Sequence, residues 1–186
     1  MQSFELDGVK FNWTYENDYD MDHPWVENEL HGIVTSAPLR FGFTKSPGQV
    51  VIHRVGSTVW VYDVKKSIEL AKRDCWGLND KAAKALQCRL GKQPTQKQIT
   101  AEAVRLDMEF CRSYLEDEVQ WFSVCCWPAE DSDQKQWLGG ILCEEGDGYL
   151  EECAKELATG HIKVSSREQE NLASEQYLLD FTLPGI

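Results

Sequence analysis

Asp18, Asp20, Asp22 and Glu29 stand at positions 1, 3, 5 and 12 of a twelve-residue segment, the spacing with which an EF-hand loop surrounds calcium. Such a loop needs glycine at position 6 for its sharp turn and a helix before it. Here position 6 is His23, Pro24 follows, and the preceding residues alternate as a strand does. The segment therefore reads as a solvated strand edge, and no metal ligand is assigned to it. The four histidines, His23, His31, His53 and His161, contain no His-x-x-x-His pair for zinc. His23 and His31 lie near acids. With the Asp18–Asp22 row they make an alternative reading, a small metal-dependent or acid–base enzyme built on the Asp18–Glu29 region.

Seven cysteines offer thiol chemistry, but no Cys-x-x-Cys pair occurs, and an odd count suits no disulfide framework. Cys75, Cys111 and Cys153 fall on apolar helical faces, where a thiol acts as a small hydrophobe. Reduced structural thiols without zinc are expected. The Gly146-Asp-Gly148 turn is flanked by Glu144, Glu145 and Asp147, which would repel a phosphate, and no Gly-x-Ser-x-Gly elbow is present. No catalytic residue, metal or cofactor is assigned, and the reading leans away from an enzyme.

What remains is acid. Glu16, Asp18, Asp20 and Asp22 recur every second residue, which on a strand spaces them roughly 6.8 Å apart. Glu116, Asp117 and Glu118 gather at the end of an expected long helix. Glu144, Glu145, Glu151 and Glu152 surround the start of the last one. Carboxylates at such spacing imitate a phosphate backbone; the plainer reading is a solvated face, with acids near a helix N-terminus also favouring its dipole. The formal charge is −12: residues 1–39 carry −7, residues 40–112 carry +7 and residues 113–186 carry −12. So acidic a chain repels nucleic acid. Its expected partner is a protein with a basic nucleic-acid-binding surface.

The elements that must hold these acids follow from periodicity. Val9, Phe11, Trp13, Tyr15, Tyr19 and Met21 alternate with polar residues over 9–22, predicting a half-buried strand that turns near Asn17. Residues 23–38 read as loop, and 39–43 as a short strand. Residues 50–55 and 58–62 flank Gly56-Ser57 as a hairpin. Asp63 is placed to cap a helix with Val64, Ile68, Ala71 and Cys75 on one face and Gly77 at its end. A short helix is expected over 80–90. A longer one over 96–118 carries the stripe Ile99, Ala103, Leu106, Phe110 and Tyr114. Strands at 119–127 and 137–143 precede a helix that Gly160 ends. This order predicts an α+β fold, an antiparallel sheet with three to four helices packed mainly on one face. One domain is expected over 1–162, with a tail or extension over 163–186.

No apolar run reaches the ~18–20 residues of a membrane span, and the N-terminus lacks the pattern of a signal peptide, so a cytoplasmic protein is expected. Several short landmarks occur in order: His23-Pro-Trp25, His31-Gly32-Ile33-Val34, Tyr62-Asp63 with Ala71 and Trp76-Gly77, Cys111 with Tyr114 and Trp121, and Asp147-Gly-Tyr149-Leu150 with Leu157. Over about residues 13–158 the chain resembles a family of small, uncharacterised accessory proteins of tailed bacteriophages. The resemblance implies context, an accessory protein made in the bacterial host cytoplasm. Together with the clustered acids and the absent catalytic motifs it leads to the expectation of a non-enzymatic inhibitor of a host nucleic-acid-handling protein, a restriction or CRISPR component. Nucleic-acid mimicry by the acids is its expected means. An acidic interaction module without mimicry is the third reading.

Overall fold

The computed structural model describes residues 1–27, 31–39, 44–146 and 148–182, with side chains to Arg167. The chain is α+β and its sheets are antiparallel, as expected; there are two sheets where one was expected. The elements are β1 (Gln2–Leu6), β2 (Val9–Asn17), α1 (Pro24–Glu27), β3 (Val34–Pro38), β4 (Gln49–Val55), β5 (Thr58–Asp63), α2 (Val64–Arg73), α3 (Asp80–Leu90), α4 (Gln96–Leu115), β6 (Val119–Pro128), β7 (Gln136–Glu144) and α5 (Tyr149–Thr182). The sequence reading puts one domain over 1–162. By its contacts the chain forms two compact units, Met1–Tyr19 with Trp121–Ile186, and Asp20–Gln120.

The first unit is a four-stranded sheet in the order β1-β2-β6-β7, with α5 packed on it. Asp7 and Gly8 carry φ of 50° and 77°, the left-handed pair that lets a two-residue turn join twisted strands. On β2, Phe11 and Trp13 face inward, and Trp13 lies opposite Cys126 of β6. Phe122, Val124 and Ile141 join them, and α5 covers the layer with Leu150, Cys153, Ala154 and Ala158. Full burial of a side chain such as Phe11 or Phe122 contributes about 1.5–3 kcal/mol. Gly160 does not end α5, which continues to Thr182. A glycine lowers helix stability but keeps its amide, so it stops a helix only where the chain turns left-handed.

The second unit is a three-stranded sheet in the order β3-β5-β4, with α2 and α4 against it. The Gly56-Ser57 hairpin forms as expected, pairing Val55 with Thr58. The Asp63 side chain accepts from Lys66 N and starts α2, also as expected. That helix ends at Arg73, before Gly77, because Cys75 turns to φ 54°; Cys75 is therefore exposed, off the apolar face assigned to it. Asn79 and a left-handed Gly91 bound α3, and a Thr95–Gln98 capping box opens α4. Of the expected 39–43 strand, Leu39 lies outside any strand and the rest outside the described residues. Within 23–38, read as loop, lie α1 and β3; Thr35 and Ser36 hide the strand from a hydrophobicity pattern. The core gathers Ile52, Tyr62, Ala71, Val104 and Cys111.

Candidate functional site

The two units differ in charge. Met1–Tyr19 with Trp121–Ile186 holds 17 acids and 5 bases, a net −12. Asp20–Gln120 holds 14 of each, a net of zero. The basic middle of the sequence lies wholly within the neutral unit, where the acids at its two ends offset it.

In the acidic unit, Glu16 is exposed near the end of β2, Glu144 ends β7, and Glu145 and Glu152 are exposed on either side of the turn into α5. Glu145 and neighbouring Glu151 are engaged. Tyr15 Oη donates to Glu145 Oε1 at 3.0 Å, which raises the tyrosine's pKa, and Lys155 pairs with Glu151 at 2.6 Å. The four-acid row over 16–22 does not form along one strand, since β2 stops at Asn17. Asp18 is half-buried and bonded within the sheet: its Oδ2 accepts from Ser123 Oγ at 2.9 Å and Gly140 N at 3.0 Å. Asp20 and Asp22 are exposed beyond the strand and belong to the neutral unit. So do Glu116, Asp117 and Glu118, exposed where the chain leaves α4 one turn earlier than expected. Asp117 makes that exit with φ 60°.

The histidines of the enzyme alternative are placed elsewhere. His23 stacks on Trp25 at 4.8 Å between centroids and meets Trp60 and Tyr114 edge-on. Burial in this aromatic box lowers its pKa, against the opposing charge of Asp22. His31 meets a carboxylate the sequence reading did not single out. Its Nδ1 lies 2.6 Å from Asp107 Oδ1, and the ring stacks on Phe110 at 5.0 Å.

Asp107 is the centre of this second cluster. Its side chain is 9 % exposed and its Oδ2 accepts from Gly32 N at 2.8 Å and Tyr62 Oη at 2.6 Å. Ser67 completes the frame, accepting from Ile33 N and donating to the Asp63 carbonyl. Gly32 is required there: a Cβ would fall on the Tyr62 hydroxyl and lie 2.6 Å from Ser67 Oγ. Cys111, one helical turn beyond Asp107, is fully buried, and burial first, then the Asp107 charge, raises its thiol pKa. The same two causes raise that of Tyr62. His31, Asp107 and Cys111 bring their ligand atoms within 4.8 Å of one another. One sign was available in the sequence. The buried face of α4 runs Thr100, Ala103, Val104, Cys111, and Asp107 falls in phase with it. The expected stripe through Leu106 and Phe110 is rotated by one residue from that face.

Among the described residues no helix is long and apolar enough to cross a membrane. Compared with family models, curated proteins and solved structures, the chain finds no match.

Proposed function

We propose that this chain is a phage accessory protein that inhibits, without catalysis, a host nucleic-acid-handling defence protein of the restriction or CRISPR type. The observation that carries the reading is the segregation of charge: one unit holds the entire net −12 and the other holds none. A merely solubilising charge has no reason to be confined to one compact unit. A charge that faces a basic groove does, because field complementarity sets encounter rate and orientation. Glu16, Glu144, Glu145, Glu151 and Glu152 supply the carboxylates of that unit. Glu116, Asp117, Glu118, Asp20 and Asp22 are secondary, and Asp18 is committed to its sheet. The phage setting and the host cytoplasm rest on the landmark residues from His23-Pro-Trp25 to Leu157.

Affinity purification of the tagged chain from a bacterial host, followed by mass spectrometry, identifies the partner. The expected partner has a basic nucleic-acid-binding surface, and added DNA or RNA displaces the chain from it. A partner that binds the chain and its nucleic acid together would overturn mimicry.

A further inference from the structure

We propose that His31, Asp107 and Cys111 form a binding site for zinc or a chemically similar divalent transition ion. The three supply one nitrogen, one oxygen and one sulfur, the ligand types that borderline-soft ions take, with all ligand atoms within 4.8 Å of one another. Asp107 and Cys111 stand four residues apart on α4, so their side chains lie on one face a turn apart. His31 arrives from the segment before β3, which is fixed by two backbone donors, Gly32 N to Asp107 and Ile33 N to Ser67.

The Asp107 carboxylate is already arranged as a ligating carboxylate would be. Both outer donors, Gly32 N and Tyr62 Oη, fall on Oδ2, while Oδ1 faces His31. Donors on the far oxygen orient a ligand and are the usual support of a metal site. On binding, the ion replaces the proton between His31 and Asp107. The ring coordinates through Nδ1 as the Nε2–H tautomer, the single proton of the neutral imidazole moving from Nδ1 to Nε2 by exchange through solvent. Cys111 releases its thiol proton to solvent, and the two anions balance a divalent charge. Of the three ligands, Asp107 also lines an open groove of about 460 Å³ with Trp76 and Leu106, so an ion would approach from the side of this carboxylate. This site lies in the neutral unit and does not depend on the inhibitor reading.

The test uses the full chain carrying Cys75→Ser and Cys88→Ser, which removes the exposed thiols, after chelator treatment and dialysis. Cobalt titration should saturate at one ion per chain with a thiolate-to-cobalt charge-transfer band, and zinc should displace it. Zinc should also raise the melting temperature in a concentration-dependent way, since only the folded chain holds the three ligands together. Cys111→Ala should abolish the sulfur band. Tyr62→Phe, which keeps the ring, should weaken binding about 10–100-fold. Absence of saturable binding, a cobalt spectrum without the sulfur band, or unchanged affinity in Tyr62→Phe would overturn the site.

Discussion

Asp18 reaches across β6 to Gly140. Its carboxylate, carried just past the end of β2, accepts the Gly140 amide of β7 at 3.0 Å and the Ser123 hydroxyl of the intervening strand at 2.9 Å. A Cβ on neighbouring Gly139 would sit 2.9 Å from the same oxygen, so the close approach needs glycine. An acid that looks like surface charge in the sequence thus fastens three strands.

Asp18→Asn should therefore lower unfolding free energy by about 1–3 kcal/mol, the cost of weakening a charged hydrogen bond in a sheltered place. Glu16→Gln, two residues earlier and exposed, should change it by less than about 0.5 kcal/mol. Urea melts of the two variants decide it. Equal effects would return Asp18 to the surface row.

Two glycines should respond in opposite directions. Gly32→Ala drives a methyl into Tyr62 and Ser67 and should cost about 1–3 kcal/mol. Gly160→Ala meets nothing and sits inside α5, so it should stabilise by about 0.5–1 kcal/mol. A helix that stopped at Gly160 would gain nothing from alanine there.

The elements most legible in the sequence were those with a local signature. Alternation marked β2, Gly56-Ser57 marked the second hairpin, and Asp63 marked the start of α2. Asp7-Gly8 was an equally strong turn signal, and β1 could have been read from it. What stayed hidden needed partners far along the chain. Asp107 meets Gly32 and Tyr62, and Asp18 meets Gly140, across separations that no local pattern encodes. Strand β3 of the second sheet and the extension of α5 past Gly160 escape a sequence reading because weak periodicity reads as loop whenever tertiary packing supplies the order.

Thiol reactivity should split the cysteines into two groups. Cys75 and Cys88 are exposed and should alkylate quickly at pH 8, while the five buried thiols should wait for unfolding. Burial pushes Cys126 from 9.0 to about 11. A thiol pKa raised by folding contributes stability that is complete below the unfolded value and lost as pH rises. Stability should accordingly fall between about pH 9 and 11. Mass spectrometry of alkylated native protein, with melts across that range, checks both statements; fast labelling of Cys126 would contradict them.

His23 should make the neutral unit acid-sensitive. Its lowered pKa means that the folded chain prefers the neutral ring, so this contribution is full above about pH 6.5 and is lost as pH falls. His23→Phe keeps a ring among Trp25, Trp60 and Tyr114 without a titrating nitrogen. It should flatten the stability profile between about pH 6.5 and 5.5, above the carboxylate range. Chemical melts at pH 7 and 5.5 for both proteins provide the comparison, and parallel profiles would remove His23 as the cause.

For the inhibitor reading, Glu144→Lys with Glu152→Lys should slow association with the isolated target severalfold, and wild-type affinity should fall steeply with salt. Surface charges are screened over about 8–10 Å at physiological ionic strength. These two acids are preferred because Glu145 and Glu151 are held by Tyr15 and Lys155. Reversing Lys65 and Lys72 in the neutral unit should matter less. Equal association rates for both double variants would exclude recognition through the turn into α5.

The division of the chain has a consequence for its synthesis. β2 finds its partner in β6, and Asp18 N meets the Trp121 carbonyl at 2.8 Å, so the chain leaves the acidic unit and returns to it at nearly one point. Everything from Asp20 to Gln120 must be made between those two events. At about 5–20 residues per second, the β1–β2 hairpin waits roughly 5–20 s with Phe11 and Trp13 uncovered and one strand edge open. The inserted unit can close first, as a contiguous piece. On the ribosome, then, a hairpin that emerges ahead of the inserted unit finds its place after it, and that interval is when an unpaired hairpin is most open to a chaperone or to another nascent copy of itself.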